Sequence, residues 1–494
     1  MNKKKIILIS LYGYGVKGIP PLGSLYLATA LKKDGHDVKI IHEEASQVEK
    51  VITETIDFKP DLVGMSVFTG YNNGVYIDLS DILKQKGFKI VWGNAHASLL
   101  PEQVLSENSI DFVVMGEGEE TLLELVNNLD ESEKYRNILG LAYKDNNGGI
   151  VINEKRNFIN LDDYLINWSL IDVEKYLVPY FSNRYKRTLA VTTSRGCPYN
   201  CQFCYNSVFN NRRWRAHSAE KIIENFKPII EKYKIDGIRF YDDNFFVDKN
   251  RAFKIVEGLG LPYTVESRVE YINKDFIEKL KATNCQEVMF GFESGSERII
   301  NDVIKKGSTK QDIINTVRLF KDTNILVAGS MIFGFPTETE EEYFMTMKFI
   351  VELLDINPNL AFTCGWLLPY PGTGLYEKAK EMGFKPPQTT REWDKFNRWS
   401  RDYEMEWLRW DYQRAVKYSR IIVNLVAMAY KRKLKILQKI FRYRIEKSNY
   451  NWPVDIYIIA KIREIYMHGG KNSWAEKKLQ NLIIKIVKLI QRKK

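Results

Sequence analysis

Twice along this chain, short apolar runs rich in β-branched residues alternate with helical stretches, and that alternation restricts the fold more than any other feature. In residues 1–120, Lys5–Leu11, Val38–His42, Asp61–Val67, Phe88–Gly93 and Phe112–Met115 read as strands. Pro21–Lys33, Val48–Phe58, Val75–Lys86 and Pro101–Glu107 read as helices between them. Strands joined through helices pair in parallel, so this part is expected to be an α/β doubly wound sheet, with ligands at the carboxyl ends of its strands. From Leu189 the alternation resumes. Leu189–Thr193, Gly237–Tyr241, Tyr263–Ser267, Glu287–Gly291, Leu326–Phe333 and Ala361–Leu368 read as six further strands. Ala219–Tyr233, Asp275–Ala282, Lys310–Thr323 and Glu340–Leu353 read as helices. In parallel β/α barrels, too, chemistry lies at the carboxyl ends of the strands.

Just beyond the first strand of the second block stand Cys197, Cys201 and Cys204, in Thr193-Ser-Arg-Gly-Cys-Pro-Tyr-Asn-Cys-Gln-Phe-Cys-Tyr205. Three thiolates this close can hold three irons of a 4Fe–4S cube, whereas cluster sites normally use four cysteines, so one iron is left open. The alternatives are a zinc knuckle and a redox pair. Structural zinc wants four ligands, usually as two spaced pairs, and His217 is the only histidine within reach. A Cys201–Cys204 redox pair leaves Cys197 unexplained. The remaining cysteines, Cys285 and Cys364, are too few for a second cluster and read as buried apolar residues.

The chain of 494 residues is long enough for two or three domains. With 45% hydrophobic and 27% charged residues it has a globular composition, and five cysteines make no disulfide framework. A reduced cytoplasm is implied. Lys3–Lys5 followed by Ile6–Ile9 could pass for a signal peptide, but the apolar run breaks at Ser10, and no stretch approaches the ~20 apolar residues of a membrane span. Of the net charge of +11, the excess lies in residues 401–494, which hold 23 Lys and Arg against 8 Asp and Glu.

The cysteine motif, with Arg195-Gly196 before it and Phe203 inside it, resembles that of the radical S-adenosylmethionine (SAM) enzymes. Their open iron binds the amino and carboxylate groups of SAM, and an electron from the cluster cleaves SAM to a deoxyadenosyl radical. The segments Ile19-Pro-Pro-Leu-Gly-Ser-Leu-Tyr-Leu-Ala28, Gly93-Asn-Ala-His-Ala-Ser98 and Val114-Met-Gly-Glu-Gly-Glu-Glu-Thr-Leu122 are similar to the cobalamin-binding domain that precedes many radical SAM domains. The resemblance implies a Rossmann-like cobalamin-binding domain in residues 1–135, a linker in 136–186, a partial (β/α)6 barrel in 187–385 and a basic, mostly helical region in 386–494. It implies that Ser66, Gly93, Asn94, Gly116 and Glu117 surround cobalamin. His96 is expected to line that pocket without ligating cobalt; a histidine there can also merely satisfy backbone groups. The loop Tyr12–Pro20 offers no histidine as a cobalt ligand. The alternative for this domain is that it binds nothing and only covers the barrel.

By the same resemblance, residues at successive strand ends handle SAM: Asp242 or Asp243 near its amine, Arg268 on its carboxylate, Glu293 with Ser294 at its ribose, and Gly329 and Gly334 beside its adenine. Each has a plainer reading, as a helix cap, a salt bridge or a packing glycine. Leu368-Pro-Tyr-Pro-Gly-Thr-Gly374 resembles the turn that closes the barrel mouth, and is a turn on either reading. The class B methyltransferase group has this organisation: one SAM methylates cobalamin, a second generates the radical, and an unactivated carbon takes the methyl group. The implied cofactors are a 4Fe–4S cluster, SAM and cobalamin. The implied partners are a small-molecule or lipid substrate and a reductant such as flavodoxin or ferredoxin. Two rivals stand: a non-methylating cyclisation, oxidation or rearrangement, and a non-catalytic cobalamin or Fe–S sensor. The basic tail, with Lys431–Arg444 at helical spacing, could lie on an anionic membrane, contact nucleic acid or pack on the barrel; no nucleic acid partner is expected.

Overall fold

In the computed structural model, residues 3–13, 18–180, 184–396 and 404–448 are described, and two seven-stranded sheets follow one another along the chain. The first contains β1 (Lys5–Tyr12), β2 (Asp37–Glu44), β3 (Leu62–Ser66), β4 (Lys89–Gly93), β5 (Phe112–Val114), β6 (Leu141–Lys144) and β7 (Ile150–Ile152), in the order β2-β1-β3-β4-β5-β6-β7. The first five strands are parallel; β6 and β7 add antiparallel. Helices α1 (Leu22–Lys33), α2 (Val48–Phe58), α3 (Asn73–Gln85), α4 (Ala95–Leu99), α5 (Pro101–Leu105) and α6 (Glu119–Asn127) cover both faces. This explains the continuous apolar run of β1. Ile7 and Ile9 join a core with residues of α2, α3 and α5, whereas Ile6 and Leu8 join one with residues of α1 and α6. A strand covered on both faces has no polar side to alternate with.

The second sheet contains β8 (Val178–Tyr180), β9 (Tyr185–Val191), β12 (Gly237–Phe240), β13 (Tyr263–Ser267), β14 (Cys285–Glu293), β15 (Leu326–Phe333) and β16 (Ala361–Trp366), in the order β16-β15-β14-β13-β12-β9-β8. Between β9 and β12, the short strands β10 (Ser194–Arg195) and β11 (Arg215–Ala216) pair with each other. All but β8 run parallel, forming the expected six-unit partial barrel. Its helices are α7 (Asn206–Phe209), α8 (Ala219–Tyr233), α9 (Lys249–Leu259), α10 (Lys274–Ala282), α11 (Lys310–Phe320), α12 (Glu340–Ile356) and α13 (Gly374–Glu381). Their starts are set by side chains: Thr309 with Asp312, and Thr339 with Glu342, form reciprocal capping boxes at α11 and α12.

The antiparallel strands β6, β7 and β8 and the antiparallel pair of β10 with β11 were not foreseen, and the first sheet continues past residue 135 to Ile152. After α13 the chain crosses back to the first domain and then returns to the barrel, where α14 (Tyr412–Lys431) packs on β16 and α12, and α15 (Lys435–Glu446) packs on α12 and α14. Among the described residues no helix is long and apolar enough to cross a membrane. Most of the basic tail beyond Ser448 lies outside the described residues, as do positions 14–17 of the Tyr12–Pro20 loop.

Candidate active site

The carboxyl ends of β1, β3, β4 and β5 face the barrel and form one wall of a cavity of about 310 Å³. Ser66, Gly93, Asn94, Gly116 and Glu117 all lie on that wall, together with Leu22, Tyr26 and Leu27 of α1. Asn94 has a positive φ of 78° and donates from Nδ2 to Ser66 Oγ at 2.9 Å, so the two loop residues are fixed together. A Cβ on Gly116 would meet nothing within 4 Å, so the space beside it is open, as a bulky ligand requires. The opposite wall comes from the barrel and includes Thr192, Ser194, Arg195, Tyr205, Phe209, Tyr241 and Asp243. A largely apolar hollow with a few polar groups is the usual form of a cofactor site.

His96 does not line this cavity. It is fully buried, its ring stands edge-on to Trp393 at 5.9 Å, and neither ring nitrogen has a hydrogen-bond partner. Burial lowers its pKa to about 3, so it is neutral. The reason is tertiary: Trp393 comes from the distant C-terminal segment and covers the helix that carries His96. His36 bonds to Asn127 and His42 to the Tyr176 hydroxyl, and neither lines the cavity.

On the barrel side the three cysteines lie in the loop between β10 and α7. Asn244 Nδ2 approaches Cys197 Sγ at 3.8 Å, and Arg268 Nη1 approaches Cys201 Sγ at 3.7 Å. Burial pushes the Cys204 thiol up to about 12 and raises that of Cys197. Among the described residues no three His, Cys, Asp or Glu side chains are placed to hold a single metal ion. Thiolates of a cubane bind separate irons and need not converge on one point, so the donor set fits a cluster better than a zinc knuckle.

The two aspartates divide their work. Asp242 is buried and accepts from Thr193 N, Thr193 Oγ1 and Ser194 Oγ, which bond it to the strand end before the cysteines. Asp243 faces the cavity and accepts from Gly196 N at 2.9 Å and from the Tyr205 hydroxyl at 3.0 Å, the residues just before Cys197 and just after Cys204. Arg268 lies over the Tyr199 ring at 3.6 Å and pairs with Glu270 and the Lys306 carbonyl. Glu293, at a positive φ of 62°, pairs with Lys306 Nζ at 2.9 Å and accepts from Ser330 Oγ at 3.3 Å. Ser294 is turned to Thr346. The glycines are more crowded than an adenine-facing role implies. A Cβ on Gly329 would lie 2.4 Å from the Phe292 ring, and one on Gly334 would meet Trp366 and Met405. The turn before α13 packs on the cysteine loop, with Leu375 N donating to Gln202 O.

Sequence reasoning missed Lys306, Asn244, Tyr205, Glu119 and Arg215. Lys306 carries no pattern of its own; only the fold brings it to Arg268 and Glu293, whereas Asn244 directly follows the singled-out Asp242 and Asp243. Glu119 and Tyr205 stand inside segments that had been singled out, so their neighbours were the available signal.

Two family models match the chain: the B12 binding domain over residues 12–126 and the radical SAM superfamily over residues 191–350. An uncharacterized methyltransferase of Pyrococcus horikoshii is 39% identical over 379 residues, covering 73% of this chain and 78% of the relative. The anaerobic magnesium-protoporphyrin IX monomethyl ester cyclase of Rubrivivax gelatinosus is 27% identical, covering 74% of this chain and 67% of the relative. Among solved structures, the radical SAM methyltransferase TsrM of Kitasatospora setae, with cobalamin and a 4Fe–4S cluster bound, superposes with a TM-score of 0.66 at 17% identity. That superposition covers 91% of this chain and all of TsrM, and it shows the shared fold. The chain therefore belongs to the radical SAM superfamily, in the branch whose barrel follows a B12-binding domain.

Proposed function

We propose that this enzyme methylates an unactivated carbon of a small-molecule or lipid substrate, using a 4Fe–4S cluster, SAM and cobalamin. The observation that carries the reading is the shared cavity: the strand ends expected to hold cobalamin and the barrel residues on either side of the cysteine loop enclose one space, which supports a substrate carbon meeting both cofactors. When bound, the cluster and SAM supply a radical that removes hydrogen, and cobalamin supplies the methyl group.

Cys197, Cys201 and Cys204 would hold the cluster. Asp243 holds the cysteine loop by Gly196 N and Tyr205 and is the proposed partner of the SAM amine, while Asp242 braces the strand end behind it. Arg268 offers a guanidinium for the SAM carboxylate, and Glu293, paired with Lys306, is an acceptor for the ribose. Ser66, Gly93, Asn94, Gly116 and Glu117 would receive the cobalamin. Leu22, Tyr26 and Phe209 make the cavity walls apolar and limit water around a reactive radical.

A reductant such as flavodoxin or ferredoxin, and a cytoplasmic setting, go with this reading. Contact with an anionic membrane is a further proposal. It is supported by the exposed Lys431, Arg432, Lys433, Lys435 and Lys439 at and after the end of α14, and co-sedimentation with anionic vesicles that weakens with salt checks it.

The test is anaerobic reconstitution with cobalamin and SAM carrying a deuterated methyl group, followed by mass spectrometry against cell extract. Methylation adds one labelled methyl to the product. A product without the label would favour the non-methylating alternative, which the cyclase of Rubrivivax gelatinosus motivates. Absence of SAM cleavage would leave only the sensor.

A further inference from the structure

The loop that carries the three cysteines leaves and re-enters the barrel through a two-stranded neck. Here β10 and β11 pair antiparallel, with Ser194 opposite Ala216 and Arg195 opposite Arg215. Both neck arginines reach into the first domain. Arg195 Nη1 donates to Glu117 Oε1 at 2.8 Å, and Nη2 donates to Glu119 Oε1 at 2.6 Å. Arg215 pairs with the same Glu117, whose other oxygen accepts from Ile159 N at 3.0 Å. The carboxylate side chains are only 6% and 3% exposed. Aromatic faces close the sides, with the Arg195 guanidinium 4.6 Å from the Tyr26 centroid and that of Arg215 3.7 Å from Phe158.

Two positive and two negative charges cancel in this buried site, so removing one leaves another uncompensated. Only a planar guanidinium can bridge Glu117 and Glu119 with both hands; an ammonium presents a single point charge. The two ends of the network touch different things. Gly116, Glu117, Gly118, Glu119 and Arg195 all line the cavity. At the other end Gly196 has φ +81°, and a Cβ there would lie 2.1 Å from Arg213 O, so the neck has no slack before Cys197.

Resting on the proposed function, we infer that Glu117, Glu119 and Arg195 are positioning residues that couple the cobalamin cavity to the cysteine loop, each cofactor binding more tightly when the other is present. A neck with no slack passes a shift at one end to the other, so the ligand that arrives first holds the network in the arrangement that the second needs. Thermodynamic linkage makes the effect reciprocal.

The experiment is equilibrium dialysis of hydroxocobalamin against the full chain before and after anaerobic cluster reconstitution. The dissociation constant is expected to be at least about fivefold lower in the reconstituted protein. In Arg195→Lys and in Glu119→Gln the ratio should fall to about one while both ligands still bind. Asp78→Asn, which removes an exposed pair with Arg391, should keep the wild-type ratio. Paramagnetic resonance of the reduced cluster should respond to cob(II)alamin, which does not oxidise it, in the wild type and not in Arg195→Lys. If one variant does not accumulate, the other carries the test. A ratio of one in the wild type, or an unchanged ratio in the folded variants, overturns the coupling and leaves the proposed function standing. No hydroxocobalamin binding by either form removes both.

Discussion

Three residue positions are expected to be decisive. Replacing Cys197, Cys201 or Cys204 by Ala should abolish the visible absorption of the cluster and SAM cleavage together, whereas Cys285→Ala and Cys364→Ala should leave both intact. Loss of the cluster in either control would contradict the assignment. Cobalt gives a second test at this scale. Among the described residues no histidine lines the cavity, so, with the cofactor's own dimethylbenzimidazole displaced, the cob(II)alamin form should lack the splitting that an axial nitrogen imposes on its paramagnetic resonance lines. A nitrogen splitting that disappears in His96→Ala would show a ligand where the structure offers a buried, unpartnered ring. Glu338 titrates for a different reason. It is buried at the end of β15, and burial raises its carboxyl from 4.5 to about 8, against a hydrogen bond from Gly334 N. Because the folded value lies above the unfolded one, the fold retains an extra proton between them. Stability from this group is full below about pH 4.5 and is lost as pH rises through about 8. Glu338→Gln should therefore gain thermal stability relative to the wild type as pH increases across that window; an equal difference at both ends would contradict it.

Among elements, the strands of the barrel were legible because each is a β-branched run between amphipathic helices. The extensions β6, β7 and β8 were not. They are three or four residues long, and their pairing depends on an edge strand supplied by the rest of the sheet. The same limit applies within β15. Gly329 reads as a position where a ligand approaches the backbone, but the Phe292 ring from β14 occupies the space. Gly329→Ala should cost ~1–3 kcal/mol by overpacking, measured by denaturant unfolding. An unchanged stability, with weakened SAM binding, would restore the ligand-facing reading.

The whole molecule is held together by a segment whose sequence gave little indication of its role. Between α13 and α14 the chain returns to the first domain, where Asp394 accepts from Asn73 N and Gly74 N at the start of α3. Nearby, Trp393 Nε1 donates to Gln103. Trp393 and Phe396 then share a core with Phe384, Met405 and Trp407, and Trp407 Nε1 donates to Gly334 O at the end of β15. One aromatic cluster thus joins the helix of His96 to a barrel strand end. Trp393→Ala should lose ~3–5 kcal/mol and expose His96, seen as a lower unfolding midpoint and faster hydrogen exchange in α4. A change confined to the barrel would argue against the bridge.

What the sequence determined by itself is local and periodic. Two parallel α/β sheets follow from the alternation, and a candidate cluster loop follows from the spacing of Cys197, Cys201 and Cys204, because those signals span few residues and need no partner from afar. Only tertiary structure decided which candidates meet. Asp243 rather than Asp242 faces the cavity, His96 turns away from it, and Glu117 is tied to Arg195 across 78 positions of the chain. Buried charge explains the last of these: a carboxylate taken out of water must find its counter-charge wherever the fold places one, and sequence spacing does not record where that is.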